Sequence, residues 1–254
     1  MLHGFDMSFY QSDEQYFRYE KDAAFILHRS SEGVNGGDSK VMARIKASDP
    51  KMPFGIYHVV RPKHNRWEDE FNAFCAKIDE AMQYRKVGIA LDLECSDYYV
   101  PYNSPESVKI WISNMIGELH KKYGIPVIVY MGDLYPDAWY EAFRQQGAVF
   151  WIARWECPQS YIKHDATIWQ YTSKYHGASQ DGDWFLKDPS ELMRVFGMVN
   201  PYDKDRVTDE EVEHAIDVLA LATLDGLFSS GAARKDAYYH AIQSRVNQFV
   251  KEGR

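Results

Sequence analysis

Residues 87–94 read Val-Gly-Ile-Ala-Leu-Asp-Leu-Glu, an apolar run that ends in two acids. Successive side chains of a β-strand point to opposite faces. The four large apolar side chains therefore share one face, while Gly88 and Ala90 share the other face with Asp92 and Glu94. This pattern predicts a strand that is buried on its apolar face and carries two carboxyl groups at the end of a nearly empty second face.

The spacing of Asp92 and Glu94 suits chemistry on a glycosidic bond. Their Cα atoms should lie roughly 6–7 Å apart, at about 3.3 Å of rise per residue. Glycoside hydrolysis requires two carboxyl groups around one bond. Many strand ends carry acids that are simply solvated, so the hypothesis depends on the rest of the chain.

The rest of the chain alternates apolar strand candidates with helical patterns. The strand candidates are Met1–Ser8, Ala23–Ser30, Pro53–Val60, Val87–Cys95, Ile125–Gly132, Ala148–Trp155, Thr167–Thr172 and Asp183–Leu186. Helical spacing of apolar residues predicts helices over Trp67–Met82, Glu106–Lys122 and Pro136–Gln146. This alternation favours a parallel sheet. Eight strands in about 200 residues predict an α/β fold, an irregular (β/α) barrel whose sites lie at the C-terminal strand ends.

Composition narrows the classes of function. A net charge of -8 argues against a general nucleic-acid binder, which would have a basic footprint. No apolar run approaches the length of a membrane span, so we expect no membrane insertion. Cys75, Cys95 and Cys157 lack metal-ligand spacing and cannot form a complete disulfide set, so we expect reduced thiols. We also expect no metal and no other cofactor. No Lys/Arg-led apolar segment opens the chain, so we expect a protein that is cytoplasmic at synthesis.

The segment from about residue 200 onward has a different pattern. A polar connector precedes Thr208, which with Glu211 forms a helix-starting signal, and a second helix is predicted over 233–251. We therefore predict two domains, a barrel over 1–199 and a small all-α appendage over 200–254. The appendage is too small to build a robust core alone. It would pack on the barrel or on a second copy as a homodimer.

Acids from distant parts of the chain should meet at the barrel mouth. Asp6, Asp92 and Glu94 end the first and fourth strands, and either Asp181 or Asp183 belongs to the last strand. Barrel closure makes the first and last strands neighbours. Crowded carboxyl groups raise one another's pKa, so that one can stay protonated near neutral pH. A turn or capping role for Asp6 and a loop position for Asp183 are the alternatives.

Seven further motifs occur in a fixed order over about residues 1–190. They are His3–Gln11, Phe25–Gly33, Pro53–His58, Leu91–Glu94, Pro126–Tyr130, Trp151–Trp155 and Trp169–Ser173. In this order they resemble glycoside hydrolase family 25, the lysozymes (N-acetylmuramidases) of phages, bacteria and fungi. The resemblance implies an irregular barrel that cleaves the β-1,4 bond between N-acetylmuramic acid and N-acetylglucosamine in bacterial peptidoglycan.

The resemblance also implies catalytic roles. Glu94 matches the family's general acid, and Asp92 the acid that stabilises the transition state or orients the substrate's 2-acetamido group. Asp6 matches the N-terminal active-site aspartate. The family's last acid lies in a Val-Asp-x-Asn pattern, whereas this chain has Gly-Asp-Trp-Phe at 182–185, so both Asp183 and Asp181 are candidates. Cα spacing leaves a covalent and an acetamido-assisted mechanism equally open.

Five residues are candidates for substrate binding. Aromatic rings suit sugar faces, but they equally suit a protein core. Arg29 could bind an acid or the substrate, or form a structural ion pair. The candidates are Tyr57, Arg29, Tyr130, Trp155 and Trp169.

The pattern of the tail and the expectation of synthesis without a leader both favour a phage endolysin. Two other functions remain as alternatives to a muramidase. Residues 211–250 resemble the helical cell-wall-binding repeats of phage lysins, which suggests a phage endolysin. One alternative is a metal-dependent hydrolase that uses His28 and His58. The other is a carbohydrate-binding protein without catalysis.

Overall fold

The computed structural model describes residues 1–94, 96, 100–101, 104–132, 134–177 and 179–198. The predicted appendage over 200–254 and Cys95 lie outside the described residues. The strands are β1 (Leu2–Met7), β2 (Phe25–Glu32), β3 (Gly36–Gly37), β4 (Phe54–Val59), β5 (Gly88–Asp92), β6 (Val127–Gly132), β7 (Ala148–Ala153), β8 (Ile168–Thr172) and β9 (Asp181–Phe185). The α-helices are α1 (Asp13–Glu20), α2 (Val41–Ala47), α3 (Trp67–Met82), α4 (Glu106–Tyr123), α5 (Asp137–Gln145) and α6 (Pro189–Val195).

Eight of the strands close into a barrel. The sheet runs in the order β1-β9-β8-β7-β6-β5-β4-β2, and β1 also pairs with β2, which joins the two ends. The two-residue strand β3 adds only to the edge of β2. The predicted α/β barrel is therefore confirmed.

The last barrel strand departs from the parallel arrangement that the alternation of strands and helices favours. Strand β9 runs antiparallel to both of its neighbours, β8 and β1. A parallel return needs a crossover, usually through a helix, and the described part of the β8–β9 connection contains only a single 3-10 turn, Tyr175–Gly177. The strand also starts at Asp181 rather than at Asp183, so both candidate acids lie on it.

Alternation along β5 separates two cores, as the sequence predicts. Ile89 and Leu91 point outward and belong to the large cluster that includes buried residues of the surrounding helices. Ala90 points inward, into a cluster that fills the barrel interior. The interior cluster also contains Phe25, Leu27, Tyr57, Val59, Ile128, Trp151, Ile168 and Phe185.

The small residues on the inner faces make room for an aromatic side chain that fills the barrel floor. Phe196, which follows α6, is fully buried in the interior cluster. A Cβ atom added at Gly88 would lie 3.1 Å from Cδ1 of Phe196, and one added at Gly55 would lie 3.2 Å from its Cε1. The nearly empty face predicted for residues 87–94 is thus occupied below the acids.

The three predicted helices are present, and their bounds agree within a few residues. Three further helices, α1, α2 and α6, were not predicted. They have only seven or eight residues, and α1 buries just Tyr16 and Tyr19, so they carry little helical periodicity. Within the described ranges, every helix is too short or too polar to cross a membrane.

Candidate active site

A small cavity of about 80 Å³ lies at the mouth of the barrel. Seven of the eight barrel strands contribute to it, each through a residue at the same end of the barrel. Glu94, just beyond β5, completes the wall. The lining residues are Asp6, Tyr57, Asp92, Glu94, Tyr130, Trp151, Gln170 and Asp181. The structure thus brings together four acids from three distant parts of the sequence.

Asp6, on β1, is close to both candidate acids of the neighbouring strand β9. It is paired with Asp181 in the antiparallel register of β1 and β9. Its Oδ2 accepts a hydrogen bond of 2.8 Å from Nε2 of Gln170. Burial raises the pKa of Asp6 well above its usual range, and the neighbouring charges of Asp183 and Asp181 raise it further. Asp6 therefore tends to hold a proton rather than a charge.

Asp181 and Asp183 occupy different levels of the barrel. Asp181 lines the cavity, and burial raises its pKa to about 6. Asp183 is fully buried beneath it, where its Oδ1 accepts a 2.8 Å hydrogen bond from Nε1 of Trp151. Burial raises the pKa of Asp183 well above its usual range, and the charge of Asp181 raises it further. The deeper acid therefore tends to hold a proton, and the shallower one faces the cavity.

Asp92 and Glu94 differ in exposure. Asp92 is buried, and its Oδ1 has no hydrogen-bond partner among the described residues. Burial raises the pKa of Asp92, and the charge of Glu94 adds to this shift. Glu94 is exposed at the rim, but the neighbouring side chains that cover its carboxyl group, followed by the charge of Glu32, raise its pKa. The two acids favour holding a proton between them.

Arg29 opposes these shifts. Its charge lowers the pKa of both Asp92 and Glu94. The guanidinium lies over the rings of Phe9 and Tyr10, at 4.7 and 5.2 Å from their centroids. Its Nη1 is 3.9 Å from Oε2 of Glu32, and its Nε is 3.9 Å from Oδ2 of Asp38. Arg29 therefore makes ion pairs with Glu32 and Asp38, and its positive charge acts electrostatically on the acids of the cavity.

The aromatic candidates fall into three positions. Tyr57 and Tyr130 line the cavity, and burial raises the pKa of each phenol, which keeps it neutral. Trp155 stands at the rim with 53% of its surface exposed, and its Nε1 donates to Oε1 of Gln170 at 3.0 Å. Trp169 is buried outside the cavity and donates to the backbone oxygen of Arg154 at 2.7 Å. Trp169 is not among the residues that line the cavity.

Sequence reasoning missed Trp151 and Gln170 as cavity residues. Both lie inside motifs that were recognised, and both alternate with side chains that point outward. The signal was the shared face of Gln170 and Ile168 on β8. This shared face did not identify Gln170 as a cavity residue, because both faces of β8 carry large side chains. Polarity therefore does not show which face of the strand points into the barrel.

The histidines of the metal-dependent alternative lie away from the cavity. Nε2 of His28 is 2.8 Å from Nη1 of Arg44. Nε2 of His58 is 2.9 Å from Oε2 of Glu70, and its Nδ1 is 2.8 Å from Oγ of Ser31. Within the described part of the chain, no group of three or more His, Cys, Asp or Glu side chains could hold a metal ion.

The sequence was compared with models of known protein families. The sequence model described as glycosyl hydrolases family 25 matches residues 5–179, more than half of the chain. The chain belongs to glycosyl hydrolase family 25. This family 25 chain is thus a glycosidase, and the matched range contains Asp6, Asp92 and Glu94. No curated protein matches its sequence significantly.

Solved structures share the fold of this family 25 barrel. A muramidase from Trichobolus zukalii has a TM-score of 0.60 at 19% identity, over 77% of this chain and 99% of that one. The catalytic domain of an endolysin from a bacteriophage of Listeria monocytogenes has a TM-score of 0.59 at 22% identity, over 77% and 97% of the two chains. A family 25 glycosyl hydrolase from Bacillus anthracis has a TM-score of 0.58 at 23% identity, over 78% and 94%.

Proposed function

We propose that this protein is a muramidase, which hydrolyses the β-1,4 bond between N-acetylmuramic acid and N-acetylglucosamine in bacterial peptidoglycan. The observation that carries the proposal is the convergence of Asp6, Asp92, Glu94 and Asp181 on one cavity beneath an exposed tryptophan. Glycosidases use paired carboxyl groups around the scissile bond. Membership of family 25 and the fold shared with muramidases support the same substrate class.

Glu94 is the general acid in this proposal. It stands at the rim, where the glycosidic oxygen of a polymer lying across the mouth can reach it. Its raised pKa, caused by burial of the carboxyl group and by Glu32, favours the protonated form that the acid step needs. The proton passes from the Glu94 carboxyl group to the departing sugar oxygen as the bond from that oxygen to C1 of the muramic acid breaks. A water molecule supplies the hydroxyl group that ends on C1, and its remaining proton restores the Glu94 acid.

Asp92 stabilises the positive charge that develops on the sugar. Its buried Oδ1 has no donor among the described residues, so an acetamido N–H or a hydroxyl group of the sugar can supply one. Hydrogen bonding to a carboxylate favours its ionised form. Substrate binding would therefore leave the negative charge on Asp92 and the shared proton on Glu94, as the reaction requires.

The remaining residues hold the substrate and the acids in place. Trp155 offers an exposed ring face to a sugar, while Tyr57 and Tyr130 present neutral hydroxyl groups inside the cavity. Asp6 and Asp181 lie on the β1–β9 side of the cavity, across from Asp92 on β5. Asp183 lies below Asp6 and supports it. Arg29 limits the accumulation of negative charge at the mouth.

The biological role that we propose is lysis of a bacterial host by a phage endolysin. Such an enzyme waits in the cytoplasm until it is released to the cell wall. The fold shared with a phage endolysin and the resemblance of residues 211–250 to cell-wall-binding repeats support this role. The tail would then hold the enzyme on its polymeric substrate.

Mass spectrometry of digested peptidoglycan tests the proposed bond specificity. Fragments with muramic acid at the new reducing end are expected, because the bond on its C1 side is cut. Reducing-end glucosamine, or release of peptides alone, would contradict the proposal. Loss of activity on exhaustive chelation would favour a metal-dependent hydrolase, and binding without new reducing ends would favour a carbohydrate-binding protein.

A further inference from the structure

Gln170 makes three side-chain hydrogen bonds at the centre of the site. It is buried on β8, and its amide joins residues from three other parts of the barrel. Nε2 donates to Oδ2 of Asp6 at 2.8 Å. Oε1 accepts from the hydroxyl group of Tyr130 and from the indole N–H of Trp155, each at 3.0 Å. Every polar atom of the amide is therefore engaged.

The partners fix the orientation of this amide. An indole N–H can only donate, so the atom facing Trp155 must be the amide oxygen. The amide nitrogen then faces Asp6 and must donate to it. Oδ2 of Asp6 is consequently an acceptor, and any proton held by Asp6 belongs on its other oxygen. A single side chain thus sets the geometry of a buried acid and that of an exposed indole.

On the basis of the proposed muramidase function, we propose that Gln170 is a positioning residue for glycosidic cleavage. Its amide holds the Asp6 carboxyl group and the Trp155 indole as one hydrogen-bonded unit. Sugar contact with the ring of Trp155 at the rim is thereby coupled to the placement of Asp6 inside the cavity. Gln170 acts through its partners and needs no contact with the substrate.

Substitution by glutamate separates positioning from simple packing. A protonated glutamic acid can donate to Asp6 and accept from Tyr130 and Trp155, as the amide does. An ionised glutamate cannot donate, and its charge repels Asp6. We expect the activity of Gln170→Glu, relative to wild type, to approach one at acidic pH and to fall as the pH rises.

Gln170→Leu provides the matched comparison, because leucine can make none of these hydrogen bonds at any pH. We expect its kcat to fall by up to about 100-fold, the order of effect that follows a displacement of about 1 Å in a catalytic site. The ratio of its activity to that of wild type should stay flat across the pH range. If this variant does not fold, the pH dependence of Gln170→Glu remains the deciding measurement.

A double-mutant cycle tests the coupling to the rim. Trp155→Phe removes the indole N–H but keeps an aromatic face, so it should raise KM and lower kcat modestly. Combined with Gln170→Leu, its effect should be smaller than the product of the single effects, because both variants break the same unit. Trp111→Phe is the control, since it removes an indole hydrogen bond to the backbone oxygen of Asn65, far from the cavity.

Two results would overturn the inference while leaving the muramidase proposal intact. One is a flat activity ratio for Gln170→Glu across the pH range in an active wild-type background. The other is a multiplicative combination of Gln170→Leu with Trp155→Phe. Failure of the proposed function would look different, because the wild-type protein itself would then release no muramic acid reducing ends.

Discussion

At the scale of single residues, the acids of the cavity are balanced by the charge of Arg29. Burial raises the pKa of Asp92 and Glu94, and Arg29 lowers both. The alkaline limit of activity should lie where Glu94 loses its proton. The position of that limit therefore depends on a side chain that does not line the cavity.

We predict that Arg29→Met moves the alkaline limb of the pH profile of kcat/KM to higher pH. Without the guanidinium, the pKa of Glu94 rises further, so the acid keeps its proton over a wider range. The measurement is the profile on peptidoglycan, with Arg18→Met as control because Arg18 forms an exposed ion pair with Glu14 on α1. If the alkaline limb of Arg29→Met stays at the same pH or moves to lower pH, Arg29 does not lower the pKa of Glu94 as we describe.

Asp183 should reduce stability at neutral pH. Its pKa in the folded protein lies well above the ordinary value of about 3.9, so the folded state holds a proton that the unfolded chain releases. Stability therefore falls as the pH rises from the unfolded pKa through the folded one. Below that window both states are protonated, and the penalty disappears.

Asp183→Asn should therefore raise Tm at pH 7, and the gain should shrink as the pH falls toward about 4. The asparagine oxygen can still accept from Trp151 while its amide donates to Asp6. Thermal melts across this pH range provide the measurement, and Asp137→Asn, at an exposed position on α5, is the control. A gain that persists unchanged at pH 4 would show that titration is not its cause.

At the scale of elements, the inner face of β5 depends on a distant part of the chain. Gly88 and Ala90 leave space that Phe196 fills from beyond α6. The alternation of residues 87–94 predicted which side chains share a face. It could not predict the aromatic ring below them, because that contact joins residues about 110 positions apart through tertiary packing alone.

We predict that Phe196→Ala lowers the free energy of unfolding by about 3–5 kcal/mol, as expected for a large buried aromatic side chain. Denaturant unfolding measures the change. Phe17→Ala, on the outer side of α1 with 37% of its surface exposed, should change stability much less. Equal losses of stability in the two variants would contradict the claim that packing of Phe196 in the barrel interior stabilises the fold.

The same scale explains where sequence reasoning stopped. Strands with one clearly apolar face, such as β5, could be predicted together with the side chains at their ends. Strand β9 was predicted over Asp183–Leu186, but its start at Asp181 and its direction were not. The Asp-Gly-Asp stretch is not apolar, and the short β8–β9 connection reverses the chain. The inward orientation of Trp151 and Gln170 could not be predicted either. Which face of an aromatic-rich strand points into the barrel is set by its pairing with neighbouring strands.

At the scale of the whole molecule, the tail should add wall binding to the barrel's chemistry. We predict that the full chain sediments with insoluble cell walls more completely than residues 1–198. Both proteins would carry Glu94→Gln so that the walls stay intact. Equal sedimentation would refute a wall-binding role, and sedimentation velocity of the full chain would then test whether the tail mediates a homodimer instead.

The central claim is that the acids at the barrel mouth break a glycosidic bond with a proton from Glu94. The most direct measurement is the initial rate of muramic acid reducing-end release from purified peptidoglycan by Glu94→Gln. Glu118→Gln, at a partly exposed position on α4, is the matched control. We predict a folded Glu94→Gln protein with no detectable release and a fully active control. Wild-type-like release by Glu94→Gln would contradict the account.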